Sequence, residues 1–257
     1  MGVTKKNPSC LIQGELGRYP LSMYAALRAV RYWFKLMMMG EDRLPKMAYQ
    51  RELLENDKKH NWARGMQYIL ESNGMGDIWL YQGCIYPKAC IRELEQRMKD
   101  IFCQNWHDKC INSERCQIYL SFKPQFGLEP YINEININKF RVAMARLRVG
   151  ASELNGNKKY IIKDASLKCP FCSCDETELH FIKYCLNYTD LRTKYLSKHF
   201  KWHPNLNLRH ILGTEKPSTI RDLATYIFHA FNKRKNDIRH RRIRDGLIGQ
   251  RLITDFH

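Results

Sequence analysis

Four side chains in the second half of the chain have the residue types and the spacing of a metal site. The pattern C-x2-C-x7-H-x4-C places Cys169, Cys172, His180 and Cys185 within seventeen residues. Thiolate and imidazole are the ligands that zinc prefers, and four of them complete a tetrahedral shell. The spacing therefore predicts a zinc ion bound by these four side chains.

Two other interpretations of these residues are open. A C-x2-C pair also occurs in redox dithiols, and clustered thiols can be buried without any metal. No strand–helix–strand pattern surrounds this pair, and a histidine and a third cysteine follow at ligand spacing, which favours a metal over redox chemistry. Cys174 lies close enough to replace Cys172 as a ligand. The two-residue interval favours Cys172.

A zinc ion with four protein ligands has a structural role, because no coordination position is left for water. Glu176 and Glu178 could act as general bases only beside a metal-bound water, so we expect them to be ordinary surface charges. Phe171 and Phe181 flank the ligands, where they could stack on single-stranded bases or pack around the metal. We expect the packing role.

The charge balance indicates a polyanionic partner. The 257 residues include 43 Lys and Arg against 26 Asp and Glu, which gives a formal net charge of +17. Nucleic acid is the commonest partner of such a basic chain. The mean hydropathy is −0.53, and no apolar run approaches the roughly 18 residues of a spanning helix, so we expect no membrane partner. No pattern predicts a small-molecule substrate, and the sequence does not indicate an oligomeric state.

The remaining cysteines bear on the compartment. They show no disulfide-like regularity, and we expect them to be small buried hydrophobic residues or inert surface thiols without a catalytic role: Cys10, Cys84, Cys90, Cys103, Cys110 and Cys116. The first residues are polar and lack the apolar core of a signal peptide. A reducing compartment with one metal site explains this pattern better than a disulfide framework. We therefore expect an intracellular protein, nuclear or cytoplasmic.

Apolar periodicity predicts a mainly α-helical fold. Helices are expected over residues 21–39, 42–57, 61–73, 88–107, 113–124, 138–149, 188–200 and 218–232. A turn at residues 155–157 and a β-like run at 160–162 predict a short β-hairpin leading into the metal site. The expected fold is a bundle-like N-terminal part, a small zinc-stabilised knuckle with a hairpin, and further helices.

Composition divides the chain into four predicted segments. Residues 1–127 form a helical region, and Gly127 and Pro130 mark a connector after it. Residues 128–202 contain a basic helix and the metal site, and residues 203–236 contain C-terminal helices. Residues 237–257 are a basic tail, which we expect to be flexible.

Ten basic side chains are the candidate contacts to nucleic-acid phosphates. They are Arg28, Arg31 and Lys35 in the helix 21–39, Arg141, Arg146 and Arg148 in the helix 138–149, and Arg239, Arg241, Arg242 and Arg244 in the tail. Phosphate contacts give affinity with little sequence selection. The alternative is that these charges only solvate the helix faces and the tail.

The metal segment also resembles a known family. Residues 169–172 (CPFC), 176–181 (ETELHF) and 185–192 (CLNYTDLR) are similar to the cysteine/histidine segment downstream of the polymerase in non-LTR retrotransposon polyproteins, the reverse-transcriptase zinc-binding segment. Residues 14–21 (GELGRYPL) and 146–150 (RLRVG) resemble further segments of these polyproteins. The resemblance extends over about residues 14–232, and the metal segment is its most specific part.

The resemblance implies the post-polymerase region of such an element, a basic helical module that helps to hold template RNA or target DNA. The chain has no Asp-Asp pair of the polymerase type and no endonuclease constellation, so the activities of the whole polyprotein are not implied. No nucleophile with a partner base and no phosphate-binding loop is found either, and we expect no enzymatic activity. The predicted function is a noncatalytic zinc-containing nucleic-acid-binding module. The alternative is a structural or protein-interaction fragment of a degenerate retroelement that binds no nucleic acid.

Overall fold

The computed structural model describes residues 8–54, 61–160 and 162–254, which form two compact units. Met1–Gly17 and His107–His257 make up the terminal unit, and Arg18–Trp106 makes up the inserted unit. This division does not follow the four segments predicted from composition. The chain start belongs to the terminal unit because Leu16 forms an antiparallel bridge with Leu128 and Glu15 accepts a hydrogen bond from the amide of Glu129 (3.0 Å).

The inserted unit is built from helices. They are α2 (Leu21–Met37), α3 (Leu44–Leu54), α4 (Trp62–Ser72), α5 (Gly76–Leu80) and α6 (Pro87–Ile111), whose last residues belong to the terminal unit. Pro20 precedes α2, and the side chain of Asn61 accepts a hydrogen bond from the amide of Arg64 at the start of α4. Both helix starts agree with the sequence signals.

The core of the inserted unit is aromatic and aliphatic. Trp33 is fully buried, and its indole donates a hydrogen bond to the hydroxyl of Tyr49 (2.9 Å), which in turn donates to Gln82 (2.6 Å). The other buried members are Leu27, Val30, Phe34, Leu36, Ala63, Met66, Leu70, Met75 and Leu94. These side chains come from α2, α3, α4 and α6 and, for Met75, from the turn before α5, so burial of their apolar surfaces holds the unit together.

The terminal unit contains the remaining helices. They are α1 (Ser9–Leu16), α7 (Glu114–Leu120), α8 (Pro130–Glu134), α9 (Asn138–Arg148), α10 (Thr189–Tyr195), α11 (Leu208–Leu212) and α12 (Pro217–Thr254). Short 3-10 helices span Asn155–Tyr160 and Leu186–Tyr188, and a π-helix spans His180–Tyr184. The first half of α12 packs on α8, α9 and α10 through a buried stripe that includes Ile220, Leu223, Tyr226, Ile227 and Ala230.

The structure is mainly helical, as predicted, but the expected hairpin is not found among the described residues. Over residues 8–54, 61–160 and 162–254 there are isolated bridges, Leu16–Leu128 and Lys168–Asp175, and no strand. The turn at residues 155–157 begins the 3-10 helix Asn155–Tyr160 instead. The backbone of this segment is held by Glu176, which accepts from the amides of Asn155 and Gly156, so no partner strand is required. Ile161, in the middle of the predicted β-like run, lies outside the described residues.

The segment predicted to be a basic tail is helical in its described part. Residues 237–254 continue α12, which is 38 residues long, and residues 255–257 lie outside the described part. Lys233 and Asp237 form an ion pair across one helical turn (3.4 Å), and Ile238 extends the apolar stripe beyond residue 232. None of the helices in the described ranges is long and apolar enough to cross a membrane.

Candidate metal centre and basic groove

The structure brings the four predicted ligands together. The ligand atoms of Cys169, Cys172, His180 and Cys185 all lie within 4.8 Å of one another, and these residues could hold a metal ion. The Cys185 sulfur is 3.8 Å from the sulfurs of both Cys169 and Cys172. Cys172 Sγ lies 3.1 Å from His180 Nε2. The sequence prediction of which side chains converge is therefore correct.

The spacing of these atoms suits a tetrahedral ion. With metal–sulfur bonds of about 2.3 Å, the edge between two sulfurs of a zinc tetrahedron is about 3.8 Å, the separation found for both sulfur pairs. The corresponding sulfur–nitrogen edge is about 3.6 Å, so the Cys172–His180 contact would widen by about half an ångström around an ion. Cys174 is exposed and lies outside the group, so Cys172 and not Cys174 is among the four side chains that converge.

Two backbone turns position the ligands. In the first, the amide of Cys169 bonds to the carbonyl of Cys174 (2.7 Å), and Ser173 adopts a positive φ of 58°. In the second, the π-helix His180–Tyr184 ends where the amide of Cys185 bonds to the carbonyl of His180 (2.8 Å). This wider turn returns the chain beside His180 after five residues, so the last two ligands become neighbours.

Burial sets the protonation of the ligands. It lowers the pKa of the His180 imidazole, which keeps the ring neutral as a metal ligand must be. Burial also raises the pKa of the Cys185 thiol to about 12 and raises that of Cys172. A bound cation would reverse this effect for the thiols, because its charge favours the thiolate. Metal binding at this site must therefore release protons.

The aromatic residues near the ligands pack inside the terminal unit. Phe181 is fully buried and stacks on Phe231 of α12 with ring centroids 4.7 Å apart. Tyr226 of α12 donates a hydrogen bond to the Phe181 carbonyl (2.9 Å), and Arg192 donates to the carbonyls of Ile182 and Cys185. Phe181 is thus a core residue and cannot stack on a base.

A buried ion pair joins the segment 169–185, which we call the metal loop, to α12. Arg234 donates to both carboxylate oxygens of Glu176, at 2.9 and 2.8 Å, and Glu176 is 1% exposed. The same carboxylate accepts from the amide of Asn155 (2.6 Å). Glu178 is also buried. The expectation that Glu176 and Glu178 are surface charges is therefore wrong, because Arg234 and the loop amide take up the charge of Glu176 in the interior.

Arg241 makes a second connection between the loop and α12. Its guanidinium lies over the ring of Phe171, 5.0 Å from the centroid, and also donates to the carbonyl of Pro170. Phe171 packs edge-on against Tyr188 on its other side. One of the four predicted tail cations is thus engaged with the metal loop.

Arg148 does not have the predicted role. It is 3% exposed, and its guanidinium donates to Glu15 (2.9 to 3.1 Å), to Glu129 and to the carbonyl of Leu212. Its ring contacts are Phe122 and Tyr131. A side chain enclosed in this way cannot reach a phosphate. Arg148 follows Met144 by four residues, which places it on the inward face of α9.

The neighbouring cations of α9 differ in exposure. Arg141 is half-buried and donates to the carbonyls of Ile132 and Ile135 (3.5 and 3.3 Å). Arg146 is exposed and lines a groove between α9 and α12 together with Lys139 and Lys235. Of the three predicted cations on this helix, Arg146 is the one that faces a groove.

A larger groove of about 980 Å³ continues along α12 and shares Ser152, Glu153 and Lys235 with the first. We call the two together the basic groove. Its cationic side chains are Lys139, Arg146, Lys158, Arg234, Lys235, Arg239 and Arg242, and its apolar ones include Ile162, Pro170, Phe228, Phe231, Ile238 and Ile243. Arg234 is committed to Glu176, so six cations face a single carboxylate, Glu153. Arg244 is exposed but is not part of the lining.

The predicted cations of the inserted unit lie on α2. Arg28, Arg31 and Lys35 are exposed. Arg31 lies 3.9 Å from Glu95, and both line a surface groove of about 600 Å³ with Arg28. The carboxylate of Glu95 partly neutralises this groove, which makes it a weaker anion site than the basic groove.

Sequence reasoning missed the carboxylates that organise the terminal unit. Glu15 is fully buried against Arg148, although 133 residues separate them in the chain. The two residues lie in the segments 14–21 and 146–150. Comparison with protein-family models, with curated proteins and with solved structures finds no match to this chain.

Proposed function

We propose that the chain is a noncatalytic, zinc-containing nucleic-acid-binding module. The observation that carries the proposal is the basic groove, where six cations besides Arg234 line the surface beside one carboxylate. Closely spaced cations attract phosphates and release condensed counterions when they bind. The candidate contacts are Lys139, Arg146, Lys158, Lys235, Arg239 and Arg242, which revises the set predicted from sequence.

Zinc is the ion that the ligand set fits best. Three cysteines and one histidine form a common structural zinc shell, and the sulfur edges of 3.8 Å agree with it. With four protein ligands the ion activates no water, so its contribution is to folding, about 10 kcal/mol or more in small zinc modules.

The ion also organises the groove. The metal loop holds α12 through Glu176 and Arg234 and through Phe171 and Arg241. Lys235, Arg239 and Arg242 lie on the same stretch of α12 as these anchors. Loss of the ion should therefore release the cationic half of α12 and weaken nucleic-acid binding without any direct metal–phosphate contact.

A salt titration tests the binding proposal. We expect four to six groove cations to contact phosphates of duplex DNA. A plot of the logarithm of the association constant against the logarithm of the salt concentration should then have a slope of about −4 to −5. The double variant Arg239→Gln/Arg242→Gln should lower this slope by about two units. The matched control is Lys194→Gln/Lys201→Gln, which removes the same charge from exposed positions outside the groove. If both double variants changed the slope equally, the proposal that DNA binds in the basic groove would be contradicted.

Metal analysis tests the zinc proposal separately. The purified chain should retain zinc at the four-ligand site, and Cys172→Ser should remove it. Cys174→Ser should leave it bound, because Cys174 is outside the ligand group. A chelator should abolish nucleic-acid binding, and added zinc should restore it. Zinc loss with unchanged binding would show that the ion does not organise the groove.

We also infer that the module derives from the post-polymerase region of a non-LTR retrotransposon. The support is the resemblance of its segments, together with the pairing of Glu15 and Arg148 from two of them. The alternative, an interaction fragment without nucleic-acid binding, is favoured by the apolar part of the groove, where Ile162, Ile238 and Ile243 could receive a protein segment. Absence of salt-dependent binding to both RNA and DNA would leave this alternative as the better account.

A further inference from the structure

Three cysteines without a predicted function form a second cluster in the terminal unit. The sulfurs of Cys10, Cys110 and Cys116 lie within 4.8 Å of one another, and all three residues are buried. Cys10 and Cys116 are 3.8 Å apart at sulfur, the same separation as in the four-ligand site. All three are buried, which agrees with one of the two expected roles, but the sequence did not predict that their sulfurs converge.

The cysteines come from three different helices. Cys10 lies in the first turn of α1, Cys110 in the last turn of α6 and Cys116 in the first turn of α7. More than ninety residues separate Cys10 from the other two, so chain proximity does not explain their convergence. A bond between these positions would fasten α1 to the corner of α6 and α7.

The chemistry of the cluster selects a soft ion. Its ligand atoms are all sulfur, and no carboxylate or imidazole belongs to the group. Thiolates favour zinc and heavier thiophilic ions over magnesium, calcium or manganese. Three thiols that bind a divalent ion release three protons to the buffer and leave one net negative charge, whereas a monovalent ion would leave two. Because a buried charge is unfavourable, the divalent ion fits better.

We propose that Cys10, Cys110 and Cys116 form a second metal site, which binds a soft divalent ion of the zinc class through three sulfurs. The three cysteines provide three of four tetrahedral positions, and the fourth is left to a non-protein ligand. The site serves as a cross-link between the N-terminal helix and the rest of the terminal unit. The proposal is independent of nucleic-acid binding and of the four-ligand site.

Cadmium titration under reducing conditions tests the proposal, in a Cys84→Ser/Cys90→Ser background. This background is needed because the sulfurs of Cys84 and Cys90 lie 2.6 Å apart and could bind a soft ion themselves. Native mass spectrometry should find two cadmium ions per chain. Cadmium-113 NMR should give two resonances. One should have the shift of an ion bound by three sulfurs and one nitrogen, as in the four-ligand site, and the other that of an ion bound by sulfur without nitrogen, as in the three-cysteine cluster. A single ion, or a single resonance, would overturn the proposal.

Substitutions then locate the second ion. Cys110→Ser and Cys116→Ser should each reduce the stoichiometry from two ions to one, whereas Cys103→Ser, a matched change outside the cluster, should leave two. Retention of the ion at the four-ligand site shows that a variant is folded. If a variant loses both ions because it does not fold, the cadmium-113 spectrum of the Cys84→Ser/Cys90→Ser chain, in which the cluster is intact, decides whether the second site exists. Retention of two ions in Cys110→Ser would place the second ion elsewhere and refute the assignment.

Discussion

The buried pair of Glu15 and Arg148 gives the sharpest test of the fold. The two side chains are 0% and 1% exposed, and Arg148 also donates to Glu129 and to the carbonyl of Leu212. Arg148→Met would leave the Glu15 carboxylate buried without its cation. Glu129 would be less affected, because Lys123 lies 2.7 Å from it. The structure thus predicts one uncompensated buried charge in this variant.

Removal of one partner from a buried ion pair destabilises a protein by about 3–5 kcal/mol. Arg148→Met should therefore lower the free energy of unfolding of the terminal unit by about 4 kcal/mol, close to a thousandfold in the unfolding equilibrium. Glu15→Gln should lower the free energy of unfolding by less, because Arg148 keeps its hydrogen bonds to Glu129 and to the Leu212 carbonyl. The double variant Glu15→Leu/Arg148→Met should recover most of the loss, because no charge is then left unpaired.

Urea unfolding with the chain labelled by fluorotryptophan measures this effect at constant zinc concentration. Trp202 is the one tryptophan of the sequence within the terminal unit, so its fluorine signal reports this unit separately. Arg146→Met is the control, because Arg146 is exposed on the same helix, and it should change stability by no more than about 0.5 kcal/mol. Equal destabilisation by Arg148→Met and Arg146→Met, or a double variant as unstable as the sum of the two single changes, would refute the reasoning.

Two glycine substitutions test local packing. A β-carbon at Gly156 would lie 2.5 Å from the carbonyl oxygen of Glu176, so Gly156→Ala should displace the metal loop and lower zinc affinity, as measured by competition with a chelator. Gly127→Ala, which meets no atom within 4 Å, should leave the affinity unchanged; equal affinities of both variants would contradict the predicted clash. Gly65 is an exposed residue inside α4 with open space around it, so Gly65→Ala should stabilise the inserted unit by about 1 kcal/mol in thermal unfolding. A lower melting temperature would contradict this expectation.

The sequence predicts most of the longer helices and the convergence of the four candidate ligands because both depend on local spacing. The stripe of Met23, Leu27, Val30 and Phe34 repeats at helical intervals, and all four residues are buried in α2. The four ligands lie within seventeen residues, so two turns are enough to bring them together. Such features need no knowledge of distant partners.

The errors concern charged residues whose partners are distant in the chain. Arg148 was expected to contact phosphates at the surface, yet it lies on an apolar stripe and meets a buried carboxylate. Arg234, which had no predicted role, is buried in the same way against Glu176. A basic residue on the apolar face of a predicted helix indicates a buried ion pair. The sequence does not, however, identify the carboxylate that pairs with it. The same limitation applies to Cys10, whose neighbours Cys110 and Cys116 become close only in the folded unit.

The division of the terminal unit has a consequence for the order in which the chain folds during synthesis. The inserted unit is continuous and can fold soon after Trp106 has left the ribosome, since domains generally fold as they emerge. Glu15 must wait for Arg148, which follows 133 residues later. At 5–20 residues per second this delay is roughly 7 to 27 s. Throughout that time the Glu15 carboxylate lacks the cation that neutralises it in the folded unit, so we expect α1 to dock only after Arg148 has been synthesised.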